Sequence, residues 1–470
     1  MAYFLGEPMT ANYYLKDSIA YTEDNVPVRK LCWCDAPSQL QEVELGFYFG
    51  CFGQILEIHV FEPRSESIRF HSGFVIFANA TDAAKALLAS DDKVFLVQAS
   101  DSWEQPDAYG SHQELELDQE PSPILGLNND CLEHIILQLQ LKDQLRFGRT
   151  CQRFRTVLLT ATERFYTSVD FARFKDMTLW DLRDFFQLYG ARIEVLHGQL
   201  ETDHAERMAK FISDHCSNLK TIHVMCSPEI SLHLHVILAK AYQLEELQLQ
   251  NSEIADEPLL ELQNLVNLKK LNLSQNILRG RVLVKLPISI EVLDLNGCQA
   301  LNVEYLPEIC NRLPNLRELH INNIDTLLFP IFNEMLLDYS YPSLEVLSVT
   351  ANHCSTYKFI PQLPNLRHLI IFNDLKNNRS VTNKICENLI NQLVEYKSDQ
   401  LEQLEMFGFE FIPREQLIQI TTLIGLRVLI LPDTDLPNDL LREFSRLTKL
   451  QKISLRNSNA TDPCSLRRLT

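Results

Sequence analysis

The sequence predicts a multidomain α/β chain: a small α+β module, a compact set of helices, and a long solenoid of strand-and-turn repeats. Three observations carry that expectation. Residues 28–100 alternate strand-like and helix-like hydrophobic runs in a split βαβ order. An acidic, proline-bearing stretch then interrupts the chain. From about residue 193 an LxxLxL pattern returns at a period of roughly 22–28 residues.

Length and charge bound the rest. At roughly 100–200 residues per domain, 470 residues suit two to four folding units or a small module plus a repeat array. The 62 acidic residues against 43 basic ones leave −19, far from the basic signature of a protein that tracks phosphate backbones. Hydrophobic content of 46% with 22% charged residues excludes global disorder. Fourteen glycines are too few for glycine-rich phosphate loops or a tight-turned all-β sandwich. The opening MAYFLGEPMTANYYLKD lacks a basic start and apolar core, and no apolar run reaches about 18 residues, so neither secretion nor a membrane is expected. Twelve scattered cysteines without a CxxC pair then read as reduced thiols, with a cytoplasmic and/or nuclear location, no metal and no cofactor.

Residues 1–27 read as an N-terminal extension. Within 28–100, Val28–Cys34, Ile55–Phe61, Phe70–Ala78 and Val94–Ala99 are expected strands, while Leu40–Phe52 and Asp82–Leu88 have helical spacing. This order, with LCWCDA at 31–36 and FHSGFVIF at 70–77, resembles an RNA-recognition motif of ferredoxin-like fold. The resemblance implies bases stacking on rings of the open sheet. Alternation turns Phe74 outward as a possible RNA-stacking residue, while Ser72 and Cys32 stand at the other stacking positions. With nine acidic against six basic residues in the module, the charge balance argues against RNA as a partner, and a docking or structural role is favoured. Cys32 and Cys34 share a strand face but lack further metal ligands.

Residues 101–123 carry Asp101, Glu104, Asp107, Glu114, Glu116, Asp118 and Glu120 with no lysine or arginine, which predicts an extended acidic linker. Beyond it, Leu132, Ile135, Ile136 and Leu139 follow i, i+3, i+4, i+7, with Asn128 or Asn129 as N-cap and a second helix from Asp143. Cys151, Phe154 and Leu158 continue helical spacing in a third segment. The pattern of Leu127, Asp130, Leu132, Ile135, Leu139, the LKD triplet at 141–143, Leu145 and the TCQRFR run at 150–155 resembles an F-box, assigned to 124–170. Asn128 replaces the family's usual proline, and Phe154 its tryptophan. The resemblance implies docking on the Skp-type adaptor of a cullin-RING ubiquitin ligase through Leu125, Leu127, Cys131, Leu132, Ile135, Leu139, Leu141 and Leu145. The receptor itself would carry no catalytic residue.

Residues 171–458 read as the repeats, with a tail at 459–470. Copies start at Leu219, Leu244, Leu268, Ile290, Leu316, Leu344, Leu366, Leu401, Leu426 and Leu450, with a degenerate unit at Ile193. They resemble leucine-rich repeats, an α/β horseshoe whose fourth and sixth positions point into the core while the residues between face the concave side. Asn276, Cys298 and Asn352 fit the family's asparagine or cysteine position; Ile324, Phe409 and Thr434 do not. Early copies then present Gln248, Gln250, Lys270, Asn272, Asp294 and Asn296. Later ones present Ile370, Phe372, Phe407, Val428 and Ile430, with Val346 and His368 beside them, as an apolar target-binding patch unless the 373–400 insertion or the tail covers it.

No GxxxxGK[ST], HExxH or GxSxG occurs. The expectation is therefore a non-catalytic substrate receptor, against an RNA-binding regulator or a non-degradative scaffold.

Overall fold

The computed structural model describes residues 12–37, 39–61, 70–89, 95–109, 122–200, 204–324, 341–351, 360–373, 379–409, 412–432 and 438–456. The chain forms two compact units, Met1–Ala161 with Asp176–Asp184, and Thr162–Lys175 with Phe185–Thr470.

The first unit begins with a hairpin, β1 (Tyr13–Lys16) and β2 (Ile19–Thr22). It continues through β3 (Lys30–Pro37), α1 (Glu42–Gly50), β4 (Ile55–Phe61), β5 (Phe70–Phe77), α2 (Ala80–Leu88) and β6 (Leu96–Ala99). The antiparallel sheet order is β4-β5-β3-β6, which is the split βαβ arrangement that the hydrophobic runs predict. Leu31, Trp33, Val75, Phe77, Val97 and Ala99 turn one sheet face to Leu45 and Phe49 of α1 and to Ala83, Ala84 and Leu87 of α2. Gly73 is needed there, because a Cβ would lie 2.3 Å from the Trp33 ring and 2.2 Å from the His59 carbonyl.

Two boundaries differ from expectation. The hairpin belongs to this core, since Ala20 is fully buried within it. The supposed linker is folded over at least residues 101–109. Buried Gln105 accepts the Arg29 and Lys30 N–H groups (both 2.9 Å) and donates to the Lys30 and Ser100 carbonyls (3.0 and 2.8 Å). Glu104 pairs with Lys30 at 3.1 Å and Asp107 with Arg29 at 3.2 Å, so charges that would repel along a free linker are neutralised. Residues 110–121 lie outside the described residues.

Helices α3 (Asn129–Gln138), α4 (Leu141–Thr150), α5 (Gln152–Ala161) and α6 (Leu179–Tyr189) follow. Asn128 is the N-cap of α3, accepting the Cys131 N–H at 2.9 Å. Asp143 is not a cap: α4 starts two residues earlier, and Asp143 lies in its first turn.

The second unit is a parallel sheet of twelve strands in sequence order among the described residues. They are β7 (Ser168–Asp170), β8 (Val195–Gly198), β9 (Thr221–Met225), β10 (Glu246–Gln250), β11 (Lys270–Asn272), β12 (Val292–Asp294), β13 (Glu318–Ile321), β14 (Val346–Ala351), β15 (His368–Asn373), β16 (Gln403–Phe407), β17 (Val428–Pro432) and β18 (Lys452–Arg456). Every predicted copy supplies a strand. The additional one, β7, lies inside the span assigned to helices, so that assignment to 170 runs too far. The fourth and sixth positions are buried as expected, for example Leu247 with Leu249, Leu271 with Leu273 and Leu369 with Ile371. Such a sheet fits a leucine-rich-repeat solenoid.

Asn276 shows what the turn position does. Its carbonyl accepts the Ser252 and Ile254 N–H groups at 3.0 Å each, and its amide donates to the Leu273 carbonyl at 2.9 Å. Cys298 stands at this position one repeat later and donates to the preceding copy, its thiol 3.1 Å from the Leu273 carbonyl and pushed up to about 12 by burial. Asn352 and Thr434 lie outside the described residues. The long step before Leu401 holds a helix, Arg379–Lys397, that packs beside residues 360–362 and 414–420.

A second regularity runs along the start of the strands. Each residue after the first leucine of a copy donates its N–H to the equivalent residue of the copy before, through Glu194, Lys220, Glu245, Lys269, Glu291, Arg317, Glu345, Arg367, Glu402 and Arg427. The side chains alternate in sign from Glu194 to Arg427, and Gln451, which continues the backbone row by donating to the Arg427 carbonyl, is uncharged. Pairs form at 3.1 Å (Lys220–Glu194), 3.0 Å (Lys269–Glu245), 3.2 Å (Arg317–Glu345), 3.1 Å (Arg367–Glu402) and 3.3 Å (Arg427–Glu402).

Candidate functional site

The helical surface is built by a core that fixes which leucines remain outside. Leu132 and Ile136 of α3, Leu145 of α4, and Phe154, Val157 and Leu158 of α5 are buried together. Gly148 lets α4 approach α5, because a Cβ there would meet Leu158 at 2.7 Å. Phe147 stacks on Phe154 with centroids 4.2 Å apart. Gln144 closes the end of α3 by donating to the Ile136 and Leu139 carbonyls at 3.1 and 3.0 Å.

Of the residues expected to meet an adaptor, Leu132 and Leu145 are therefore corrected: they are core, and no partner could touch them without unpacking the helices. Leu125 is 43% and Ile135 37% exposed; Cys131 is exposed, and Leu127, Leu139 and Leu141 are half-buried. Leu137, 42% exposed, joins this surface although its spacing gave no reason to name it.

Two features hold the helices in place. Arg153 on α5 donates to the Leu125 carbonyl at 2.7 Å, to the Leu127 carbonyl, and to the Asn129 side-chain oxygen at 3.2 and 3.1 Å. On the other side Arg146 and Arg149 grip the fully buried Asp181 at 3.0 and 2.8 Å, and Arg149 also reaches Asp184 at 2.7 Å. Burial pushes the Asp184 carboxyl up, against the pull of Arg149. The Arg149 guanidinium lies 4.0 Å from the Trp180 ring centroid. Glu23 accepts the Leu179 N–H at 2.6 Å and Asp24 the Thr178 hydroxyl at 2.7 Å, placing two carboxylates at the N-terminus of α6.

The concave patch is more polar than its sequence reading. Phe372 and Phe407 stack on neighbouring strands, centroids 4.9 Å apart, and Ile370, Phe372, Val428 and Ile430 are half-exposed. Phe407 is corrected, being only 5% exposed and part of the packed interior. Between Ile370 and Ile430 in register stands Glu405, which accepts from Gln403 at 2.6 Å and bonds the His368 ring at 2.9 Å. Burial alone would raise this carboxyl, but His368, Gln403 and Lys452 bring it below its ordinary range.

On the N-terminal sheet Phe74 faces outward as expected, yet not alone. His59 and Phe61 of β4 lie 5.6 and 6.0 Å from its ring, and Lys30 Nζ sits 4.5 Å over it. The lone-ring expectation overlooked β4, whose alternation carries both aromatics to that face.

Comparison with protein families matches the F-box domain model to residues 124–162. No curated protein matches. Among solved structures, an internalin from Listeria monocytogenes matches at 15% identity over 55% of this chain and 80% of its own, with a TM-score of 0.30, a likeness that carries no conclusion about fold or partners. No helix among the described residues is long and apolar enough to cross a membrane.

Proposed function

We propose that the chain is the substrate receptor of an SCF-type cullin-RING ubiquitin ligase, working in the cytoplasm or nucleus. The F-box match at 124–162 carries this reading. Its helices offer Leu125, Leu127, Cys131, Ile135, Leu137, Leu139 and Leu141 to a Skp-type adaptor, and through it to cullin and RING subunits. The repeats hold a target protein, with Ile370, Phe372, Val428 and Ile430 as the anchoring surface and Glu405 in their midst. A receptor of this kind works by proximity: it keeps a target lysine near a loaded conjugating enzyme, and its rigidity sets the effective concentration. The test is calorimetric titration of purified Skp-type adaptor into the full chain and into a Leu125→Asp, Ile135→Asp variant. Binding by the parent and none by the variant supports the reading; no heat with the parent sinks it.

A second reading, RNA binding by an RRM-like sheet, is favoured by the cluster of Phe74, His59, Phe61 and Lys30. Against it stand the net charge of −19 and the Lys30–Glu104 pair. It requires oligonucleotide affinity of the full chain that falls with salt and with Phe74→Ala. A third reading, a non-degradative scaffold that binds the adaptor weakly or not at all, is favoured by Asn128 at the place of the family's usual proline; co-purification with the adaptor separates it from the first.

A further inference from the structure

The segment that presents Leu125 and Leu127 has little to hold it by itself. It is a single 3₁₀ turn, Pro123–Gly126, closed by Leu125 N–H to Ser122 and Leu127 N–H to Ile124, and short turns of this type are marginal alone. Two side chains fasten it. Asn128 caps the following helix, and Arg153, from 24 to 28 residues downstream, reaches three acceptors around the turn: the Leu125 and Leu127 carbonyls and the Asn129 side chain. A planar guanidinium presents five N–H groups in one rigid fork, so one residue can fix the direction of two carbonyls and hence of the leucines that carry them.

We propose that Arg153 is the positioning residue of the adaptor surface, holding Leu125 and Leu127 in their binding geometry by hydrogen bonds where a proline would hold them by its ring. This rests on the receptor reading above. The backbone at 128 supports the equivalence. Asn128 has φ −72°, within proline's fixed range, and the preceding Leu127 has φ −70° and ψ 147°, the extended region that a following proline demands. A proline at 128 would fit without strain, giving up the side-chain cap but restricting the same turn.

The inference is tested in the full-length chain with Arg153→Ala, Arg153→Lys, Asn128→Pro and the Arg153→Ala, Asn128→Pro double variant. Two readouts are taken: amide hydrogen exchange across 122–131, and titration with purified Skp-type adaptor. Arg153→Ala should speed exchange at the Leu125 and Leu127 amides while the buried amides of α5 keep their protection. It should weaken adaptor binding about tenfold, roughly the size of one charge-assisted hydrogen bond. Arg153→Lys should recover part of the affinity, since its ammonium offers donors without the fork. Asn128→Pro should recover most of it in the Arg153→Ala background. A residue that merely supports the fold would not be rescued by restricting φ at 128. Unchanged exchange at 125 and 127, or an affinity loss that the proline leaves in place, overturns the proposal. If the parent chain gives no heat, the receptor reading fails, and with it the adaptor role of Arg153, while exchange still decides whether the clamp exists.

Discussion

Reversing one rung of the charge ladder should destabilise the repeat unit through repulsion that salt removes. Lys269 is the choice, because its backbone bonds to both neighbours, Glu245 and Glu291, and its ammonium lies 3.0 Å from Glu245. Both side chains of that pair are about half exposed (50% and 48%), so the pair itself contributes about 0–1 kcal/mol. Lys269→Gln should lose that and no more. Lys269→Glu loses the same pair and sets three carboxylates in a row, adding two like-charge contacts of similar size, for a total of about 1–2 kcal/mol at low ionic strength. The assay is urea denaturation of parent, Lys269→Gln and Lys269→Glu chains at low and high salt. The gap between the two variants isolates the repulsion, and should close at high salt because the Debye length falls to about 3 Å at 1 M. Equal midpoints for the two variants at low salt, or a gap indifferent to salt, would show that the rungs of the ladder do not interact through their charges. The alternation also means that stacking which skips one repeat sets two like charges side by side at that junction, for example Glu245 beside Glu291, whereas skipping two restores opposite charges.

Other consequences follow from burial and charge. Leu132→Ala should cost about 2–5 kcal/mol of stability in urea melts, whereas Leu125→Asp should leave the melt nearly unchanged and remove adaptor binding; equal stability losses would mean that the inside and outside of the helices are misassigned. Phe407→Ser should cost about 3 kcal/mol because the ring is buried, and Phe372→Ser clearly less; comparable losses at the two positions would contradict their different exposure. Glu405 is held below its ordinary value of 4.5, so its interactions contribute stability above that pH and lose it as pH falls through the depressed value. The stability gap between parent and Glu405→Gln should accordingly be largest near neutrality and shrink under acid conditions; a gap that widens toward low pH would reverse the assignment.

The parts of the molecule legible in the sequence were those in which one physical demand repeats. Every copy of the array needs two inward apolar residues on a strand, so Leu247 with Leu249 and Leu369 with Ile371 were visible at a single period. The cap at Asn128 was legible because its donor lies three residues away. The hairpin at 13–22 was missed because YYLK is mostly exposed and carries no alternation. Gln105 was missed because four hydrogen bonds to a distant strand leave no trace in an acidic stretch.

Helical periodicity found the apolar face of α3 but could not say which part of that face points inward. Leu132, Ile135 and Ile136 share one arc, and only the third helix decides that Leu132 and Ile136 are covered and Ile135 is left at the edge. The charge ladder escaped for a different reason. Aligning copies by likeness averages opposite charges at one position into apparent noise, and the order emerges only when copies are compared as neighbours that must pair. The concave patch failed the same way in reverse: Ile370, Phe372 and Ile430 were read as a row, but Glu405 stands between two of them in register, and its place becomes clear only when strand 403–407 is laid against its neighbours. Function in such an array is written across repeats rather than along them. Any surface that reads a partner should therefore be sought in rows of the register, where one half-buried carboxylate among apolar neighbours changes what can bind more than another leucine would.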